Sequence, residues 1–458
     1  MMRLAKVTPK TLEAEGSWDA VVLCGPLAGL LGGKGTGSLD TWDASVIDGT
    51  RAPERTAISA ADIGFGELML RPESLLPAPP SDRFTLQTGD VLLAKAPPIK
   101  AAWISPSVHH HRFDATCYAA RNLTTAQGVW LTFCLNQFEY AFSLARRSVA
   151  SAMPRINRTE WMRFPIPDLP AGFELLAEGI AECIDQRALS SMELLRLQAE
   201  VADQVESLVP GHAIEAAADP SSEASWHQRF SPTLIDDSLI PGHVKAGRFQ
   251  QLLRRGGDWR PIRALVSIAR GHGERLGKKG TGYWTLRLSD VGADLRLPAL
   301  VSRGQAGNRN VYAEPLAEGE VLHSLLATHP RTLLITEPPD RAIYPTDHWV
   351  RLRFNETPGA WALILQTEPI ARQLRSMTTG LTQQFATAAA VEQLVLPPVA
   401  LSTRISWDGR LRRWQKQRRE LESQWYEFVA RVYRLLKHTE SKYGPWVMPF
   451  FREIGHDT

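Results

Sequence analysis

The chain has 458 residues, of which 44% are hydrophobic and 22% charged, with a formal net charge of +3. That length exceeds one ordinary core and suits two or three domains, while the composition excludes a disordered, collagenous or disulfide-framework protein. Cys24, Cys117, Cys134 and Cys183 lack metal-ligand spacing and fit a reducing compartment. Neither a secretory leader nor a run of about eighteen apolar residues occurs, so the cytoplasm is the expected location and no membrane partner is expected. The small positive charge permits a polyanion partner without requiring one.

In chain order, the first landmarks are GSW at residues 16–18 and GGKGTGS at residues 32–38. The second is not a P-loop, because Lys34 is followed by Gly35 rather than by a hydroxyl, and Ala28 stands where the first glycine belongs. Its amides, Lys34 and Thr36 either approach a phosphate or form a solvent-exposed turn. ISAADIG (58–64) and LQTGDVLLAK (86–95) follow, the latter reading as a strand. HHHRF at 109–113 is no metal site, since adjacent strand residues face opposite ways and no Cys or carboxylate lies at ligand spacing. The apolar run around Trp130 reads as a core helix, and FPIPDLP closes the unit on a Pro-rich strand.

The same landmarks then recur. GDW stands at 257–259, GKKGTGY with Lys278, Lys279 and Thr281 at 277–283, LRLSDVG ends at Gly292, and LAEGEVLHSL carries Gly319 and Glu320. RTLLITEPP reads as a strand, the run around Trp361 as one long helix, AWALILQTEPIARQL, and LVLPPVA as the closing strand. The offsets are 241 and 245 at first, then 228 to 231, which predicts about fifteen extra residues in the first copy before Asp62 and makes KGTG a repeated element. TEPPDRAIY at 336–344 departs from the amino-methyltransferase motif at Glu337 and Asp340, and no glycine-rich cofactor loop accompanies it, so no catalytic residue is assigned.

Each copy is followed by a Pro-free stretch of 38 residues. Residues 171–208 carry eight acids and two arginines, net −6; residues 401–438 carry ten Lys and Arg and four acids, net +6. A three-four apolar alternation runs through Leu411, Trp414, Leu421, Trp425, Phe428, Val432 and Leu435, broken by Arg418. A weaker one runs through Phe173, Leu176, Ile180, Cys183, Leu194, Leu197, Val201 and Leu208, broken at Arg187, Ser190 and Gln204. Opposite fields favour pairing the two helices; the alternative is that each packs on its own domain. At 1.5 Å per residue each spans at most roughly 57 Å, on the order of fifteen base pairs of duplex.

The tandem order resembles the DNA specificity subunit of type I restriction-modification systems, over nearly the whole chain. The resemblance implies an α/β (α+β) architecture with a pseudo-twofold internal repeat: target-recognition domains at 1–170 and 257–400, antiparallel coiled-coil spacer helices at 171–208 and 401–440, a linker at 209–256 and a tail at 441–458. It implies double-stranded DNA as ligand, read as a bipartite target, and two methyltransferase subunits as partners. It also implies a chain that is itself non-catalytic. S-adenosylmethionine would sit in the partner methyltransferase, no cofactor in this chain, and ATP-driven cleavage would belong to a separate restriction subunit. The usual Gln after each closing Pro is absent, with Ala171 and Ser402 nearby. The partners are therefore those of a restriction system or of another methylation-based phage-defence system; a self-contained DNA-modifying enzyme is the remaining alternative.

Side chains suited to base edges and phosphates mark the candidate DNA contacts. They are Arg112, Arg121, Asn122, Arg155, Asn157 and Arg158 in the first copy, and Arg303, Gln305, Asn308, Arg309 and Asn310 of SRGQAGNRN in the second, followed by Arg375, Gln383 and Gln384. The bland reading of SRGQAGNRN is a solvated loop. The basic helix is a further candidate for direct DNA contact.

Overall fold

The computed structural model describes residues 36–49, 57–64, 68, 84–97, 99–108, 111–136, 155–211, 250–256, 258–269, 283–292, 295–298, 301–304, 311–312, 314–326, 330–377 and 385–439. The fold is mixed α/β, and the chain divides into two compact units: Met1–Leu195 with Gln417–Thr458, and Arg196–Lys416.

Unit 1 contains β1 (Thr36–Gly37), β2 (Ser45–Asp48), β3 (Val91–Ala94), β4 (Ala101–Trp103), β5 (Cys117–Arg121), α1 (Thr125–Leu135), α2 (Arg158–Arg163), β6 (Ile166–Pro167) and the first part of α3 (Glu174–Ser207). Four strands form an antiparallel sheet in the order β2-β5-β3-β4. β3, β4 and β5 are buried along their whole lengths, because both faces of the sheet are covered, and apart from Arg121 at the end of β5 they accordingly read as runs of small and apolar residues. One face receives α1, which starts on a Thr124–Gln127 capping box. Trp130 of α1 is fully buried, stacks on Phe133 and donates its indole N–H to Pro167 O at 2.6 Å. Gly128 allows the approach: a Cβ there would lie 2.9 Å from Trp103. The opposite face is covered by Ile58, Ile63, Leu86 and Phe113.

Unit 2 contains β7 (Arg260–Pro261), β8 (Val266–Ala269), β9 (Tyr283–Leu286), β10 (Ser302–Gly304), β11 (Val321–Ser324), β12 (Thr332–Leu334), β13 (Ile343–Pro345) and β14 (Trp349–Phe354). Then come α4 (Pro358–Ile364), α5 (Glu368–Ser376), α6 (Ala388–Gln393), β15 (Val395–Leu396) and the first part of α7 (Leu401–Thr439). Its main sheet is again antiparallel, in the order β12-β11-β14-β8, and a second sheet runs β10-β9-β13. The apolar run predicted as one helix is two: α4 ends, and the side chain of Thr367 turns back to donate to Ile364 O at 2.7 Å, before α5 begins with Pro in its first turn.

The strand register corrects the expected alignment of the KGTG loops. Thr36 and Gly37 pair with Pro167 and Ile166 of the closing strand, and in unit 2 the corresponding place against Val395 and Leu396 is held by Pro261 and Arg260, directly after GDW. The first KGTG thus matches the chain near residue 260 rather than residue 278, and the first copy has no fifteen-residue excess. Four letters of a glycine-rich turn constrain the chain less than a strand pair does. Lys34, Lys278, Lys279 and Thr281 lie outside the described residues, and Thr36 is placed by its backbone as part of β1.

Within unit 1, α3 and α7 pack antiparallel. Gly179 faces Phe428, where a Cβ would come within 3.0 Å of the ring; Cys183 Sγ lies 3.7 Å from Leu421 O; and Arg418 donates to Arg187 O at 2.7 Å. Within unit 2, Glu200 of α3 accepts from the Trp407 indole at 2.9 Å and from Arg410 at 2.6 Å. The polar breaks Arg187, Ser190 and Arg418 are buried with their apolar neighbours, and the Arg187 guanidinium lies over the Trp425 ring at 4.9 Å. Near its end α3 departs from the expected frame: Gln204 is exposed and Val205 and Val209 are buried, so the stripe continues from Val201 by steps of four. Charge plays a smaller part in these contacts than the −6 and +6 suggest, since Arg412 and Arg431 turn to Asp408 and Glu427 on their own helix. Among the described residues no helix is long and apolar enough to cross a membrane.

Candidate nucleic-acid interface

The interior of each unit holds an arginine-carboxylate lock, and in unit 2 the carboxylate also accepts from a second arginine, Arg353, at 2.8 Å. In unit 1, Arg121 at the end of β5 donates to Asp90 at 3.0 Å and to Thr85 O. Asp90 also accepts from Gln87 N–H at 2.9 Å, in the turn where Gly89 takes φ +89°. Burial pushes the Asp90 carboxyl up to about 6, against the lowering pull of the Gln87 N–H and of Arg121. In unit 2, Arg351 donates to Glu320 at 2.6 Å and to Pro315 O and Glu314 O at 3.0 Å, while Glu320 accepts from Ala317 N–H at 3.1 Å beside Gly319, at φ +80°. Acid, glycine and arginine recur at an offset of 230, and the lock reaches back 31 residues to its acid in both units. Arg121, expected as a DNA contact, has its guanidinium buried in these bonds.

Other candidates cluster at one corner of unit 1. Arg155, Asn157 and Arg158 are exposed at the start of α2, and the Asn157 side chain caps that helix by accepting from Glu160 N–H at 2.9 Å. Ile156 N–H donates to Lys95 O at 2.8 Å, which brings the segment to the end of β3. Lys95 pairs with Asp48, donates to Ala115 O at 2.8 Å and lies 4.2 Å over the Tyr118 ring. Burial raises the Tyr118 pKa and Asp48 adds to the rise, whereas Arg158, Arg155 and the Arg158 N–H at the phenol oppose it. The three exposed residues are among the contacts expected from the sequence; Lys95 is not, because its apolar surroundings read only as strand.

The remaining candidates are scattered. Asn122 is exposed with φ +63° just after β5, and Arg112 is half-buried and forms an isolated antiparallel bridge with Thr85. Arg303 stands opposite Trp284 in the β9–β10 pair. Arg375 is held by Glu368. Gln305, Asn308, Arg309, Asn310, Gln383 and Gln384 lie outside the described residues, as do His109 and His110; His111 is buried with Nδ1 2.9 Å from Val108 O. Among the described residues no group of three His, Cys, Asp or Glu could hold a metal.

Two structural residues escaped the sequence. Gln373 clamps the closing strand of unit 2, accepting from Val395 N–H at 2.9 Å and donating to Val395 O at 3.0 Å. Asp408 of α7 accepts from Gly359 N–H at 2.6 Å, at the first turn of α4. Neither has a local signal, since each partner is distant in sequence.

No family model matches the sequence, and no curated protein matches it. Among solved structures, a type I restriction-modification S subunit from M. genitalium is similar at 9% identity and a TM-score of 0.34, covering 90% of this chain and 96% of that one. A structure described as addressing assembly and conformational transition of the type I R-M system matches at 16% identity and a TM-score of 0.24, covering 86% and 96%. The HsdS subunit from Thermoanaerobacter tengcongensis matches at 16% and 0.23, covering 86% and 95%. Overlaps of this depth carry no residue-level inference.

Proposed function

We propose that the chain is a non-catalytic DNA specificity subunit of the type I restriction-modification kind, in which a duplicated module reads a bipartite duplex target. The observation that carries this reading is the lock repeated at an offset of 230, set in two four-stranded sheets of the same strand order. Duplication of a whole module gives two readers of like geometry, and two readers suit a split target better than a continuous one. The contacts of α3 and α7, antiparallel in unit 1 and made through Glu200 in unit 2, support their role as a paired coiled-coil spacer that sets the gap. On this reading, adenine methyltransferase subunits, two of them, dock on the chain and carry S-adenosylmethionine, and a restriction motor subunit joins where the system cleaves DNA. DNA contact falls to Arg155, Asn157, Arg158 and Asn122 in unit 1, and to Arg303 with the loop that follows it in unit 2.

The test is selection of duplexes from a random pool by the full chain together with its methyltransferase partner. Two short sequence blocks at one fixed gap are expected. A single continuous block, or retention of every duplex alike, would overturn the proposal, and methyl transfer by the chain alone would replace it with the enzyme alternative.

A further inference from the structure

Residues 155–158 of unit 1 and 385–388 of unit 2 are held by the same two anchors. Ile156 N–H donates to Lys95 O at 2.8 Å, and Ala386 N–H to Leu325 O at 2.7 Å. Asn157 then caps the following helix through Glu160 N–H, and Thr387 does so through Ala390 N–H. Around these shared anchors the chemistry is opposite. Unit 1 places Lys95, Arg155 and Arg158 there, against the carboxylates of Asp48 and Glu160, so cations are in surplus; Arg155 and Arg158 are exposed and, among the described residues, have no ion-pair partner. Unit 2 has Leu325, Phe385 and Ala388 at the matching positions, and Phe385 packs edge-on against His348, with ring centroids 5.5 Å apart.

We propose that the Arg155–Arg158 corner of unit 1 binds a phosphodiester of duplex DNA and that the described residues at the matching corner of unit 2 form no such site, so the two halves of the target are gripped with unequal salt sensitivity. Two guanidinium groups on one short segment, with Lys95 fixed behind them by Asp48 and Ala115 O, suit the oxygens of a backbone phosphate. Asn157 has already committed its oxygen to the helix cap, so it lacks the free acceptor that the two-bond contact to an adenine edge needs. The inference rests on the reading of the chain as a DNA-binding subunit.

The experiment measures binding of the full chain to a labelled random-sequence duplex of about 40 base pairs across a salt series, since sequence-independent affinity falls by about 0.9 in log K per log salt for each phosphate neutralised. The parent is compared with Arg155→Ala/Arg158→Ala, Arg155→Lys/Arg158→Lys and Phe385→Ala. The alanine pair is expected to flatten the slope by about 0.9, the share of one phosphate, with the lysine pair and the Phe385 variant keeping it. A slope unchanged in the alanine pair, or flattened as much by Phe385→Ala, overturns the proposal while leaving DNA binding intact. A parent chain that binds no duplex overturns the DNA-binding reading and the proposal together.

Discussion

Arg351 and Glu320 meet at 2.6 Å in the interior of unit 2, with both side chains almost wholly excluded from solvent. A buried pair of this kind is costly to break from one side, because the surviving charge has no water to turn to. Glu320 keeps a second partner, Arg353 at 2.8 Å, so Arg351→Met is expected to destabilise unit 2 toward the low end of about 3–5 kcal/mol, and Arg351→Met with Glu320→Leu by much less. Arg121→Met is expected to act on unit 1 in the same way through Asp90. Denaturant titration, followed by hydrogen exchange to separate the units, checks this. A folded Arg121 variant of parental stability with only DNA binding lost would return Arg121 to the surface role expected from sequence.

The units should respond oppositely to acid. His323 on β11 is fully buried with Nδ1 on Thr332 Oγ1 at 2.9 Å, and burial holds its pKa down to about 4. Between the ordinary 6.5 and that value the unfolded chain binds a proton that the folded one refuses, so unit 2 loses up to roughly 3 kcal/mol as the pH falls through the window. Asp90 works the other way: its folded value of about 6 lies above the ordinary 3.8, so its contribution to unit 1 is full below pH 4 and declines as the pH rises through 6. On moving from pH 7 to 4.5, amides of Val321–Ser324 should lose exchange protection relative to those of Val91–Ala94. Equal loss in both, or a difference undiminished in His323→Leu, would contradict the assignment, since Asp90 alone leaves only the smaller part of it.

Legibility followed sequence separation. The strands at Val91 and Thr332, the helices at 125 and 401, and the inward positions of α7 were readable because apolar spacing is a local property. The break at Thr367 was not, since Pro369 could equally open a helix or kink one. Arg121 carried the chemistry of a base reader, and only the fold reveals that Asp90, 31 residues earlier, consumes it. The KGTG match misled for a related reason: the strand pairs that fix Thr36 and Arg260 are made with residues more than a hundred positions away.

Gly179 tests the helix packing of unit 1. A side chain there meets Phe428 at 3.0 Å, and both ends of α3 within the unit are committed to the core, so the helix has little room to retreat. Gly179→Leu is expected to cost about 1–3 kcal/mol by overpacking, and Phe428→Ala in the same chain to restore part of it. Gly179→Ala is the milder case, in which improved helix propensity, about 1 kcal/mol, works against the close contact. A Gly179→Leu chain as stable as the parent would mean that α3 and α7 do not approach at this point.

Asp408 couples α7 to the core helix of unit 2. Its Oδ1 accepts from Gly359 N–H at 2.6 Å, and its Oδ2 is held by Arg412 at 2.8 Å. The residue before α4, Thr357, takes φ +48° and offers no side-chain cap, so Asp408 supplies from another helix what the local sequence omits. Asp408→Ala is expected to cost about 1–2 kcal/mol, comparable to the loss of a good cap. Asp408→Asn keeps an acceptor and should cost less, although it gives up the charge that holds Arg412. The signature that separates capping from general surface damage is location: exchange protection should fall at the first turn of Pro358–Ile364 while α7 around Trp414 stays protected. Loss of protection confined to α7, with the start of α4 unaffected, would place the role of Asp408 in its own helix instead.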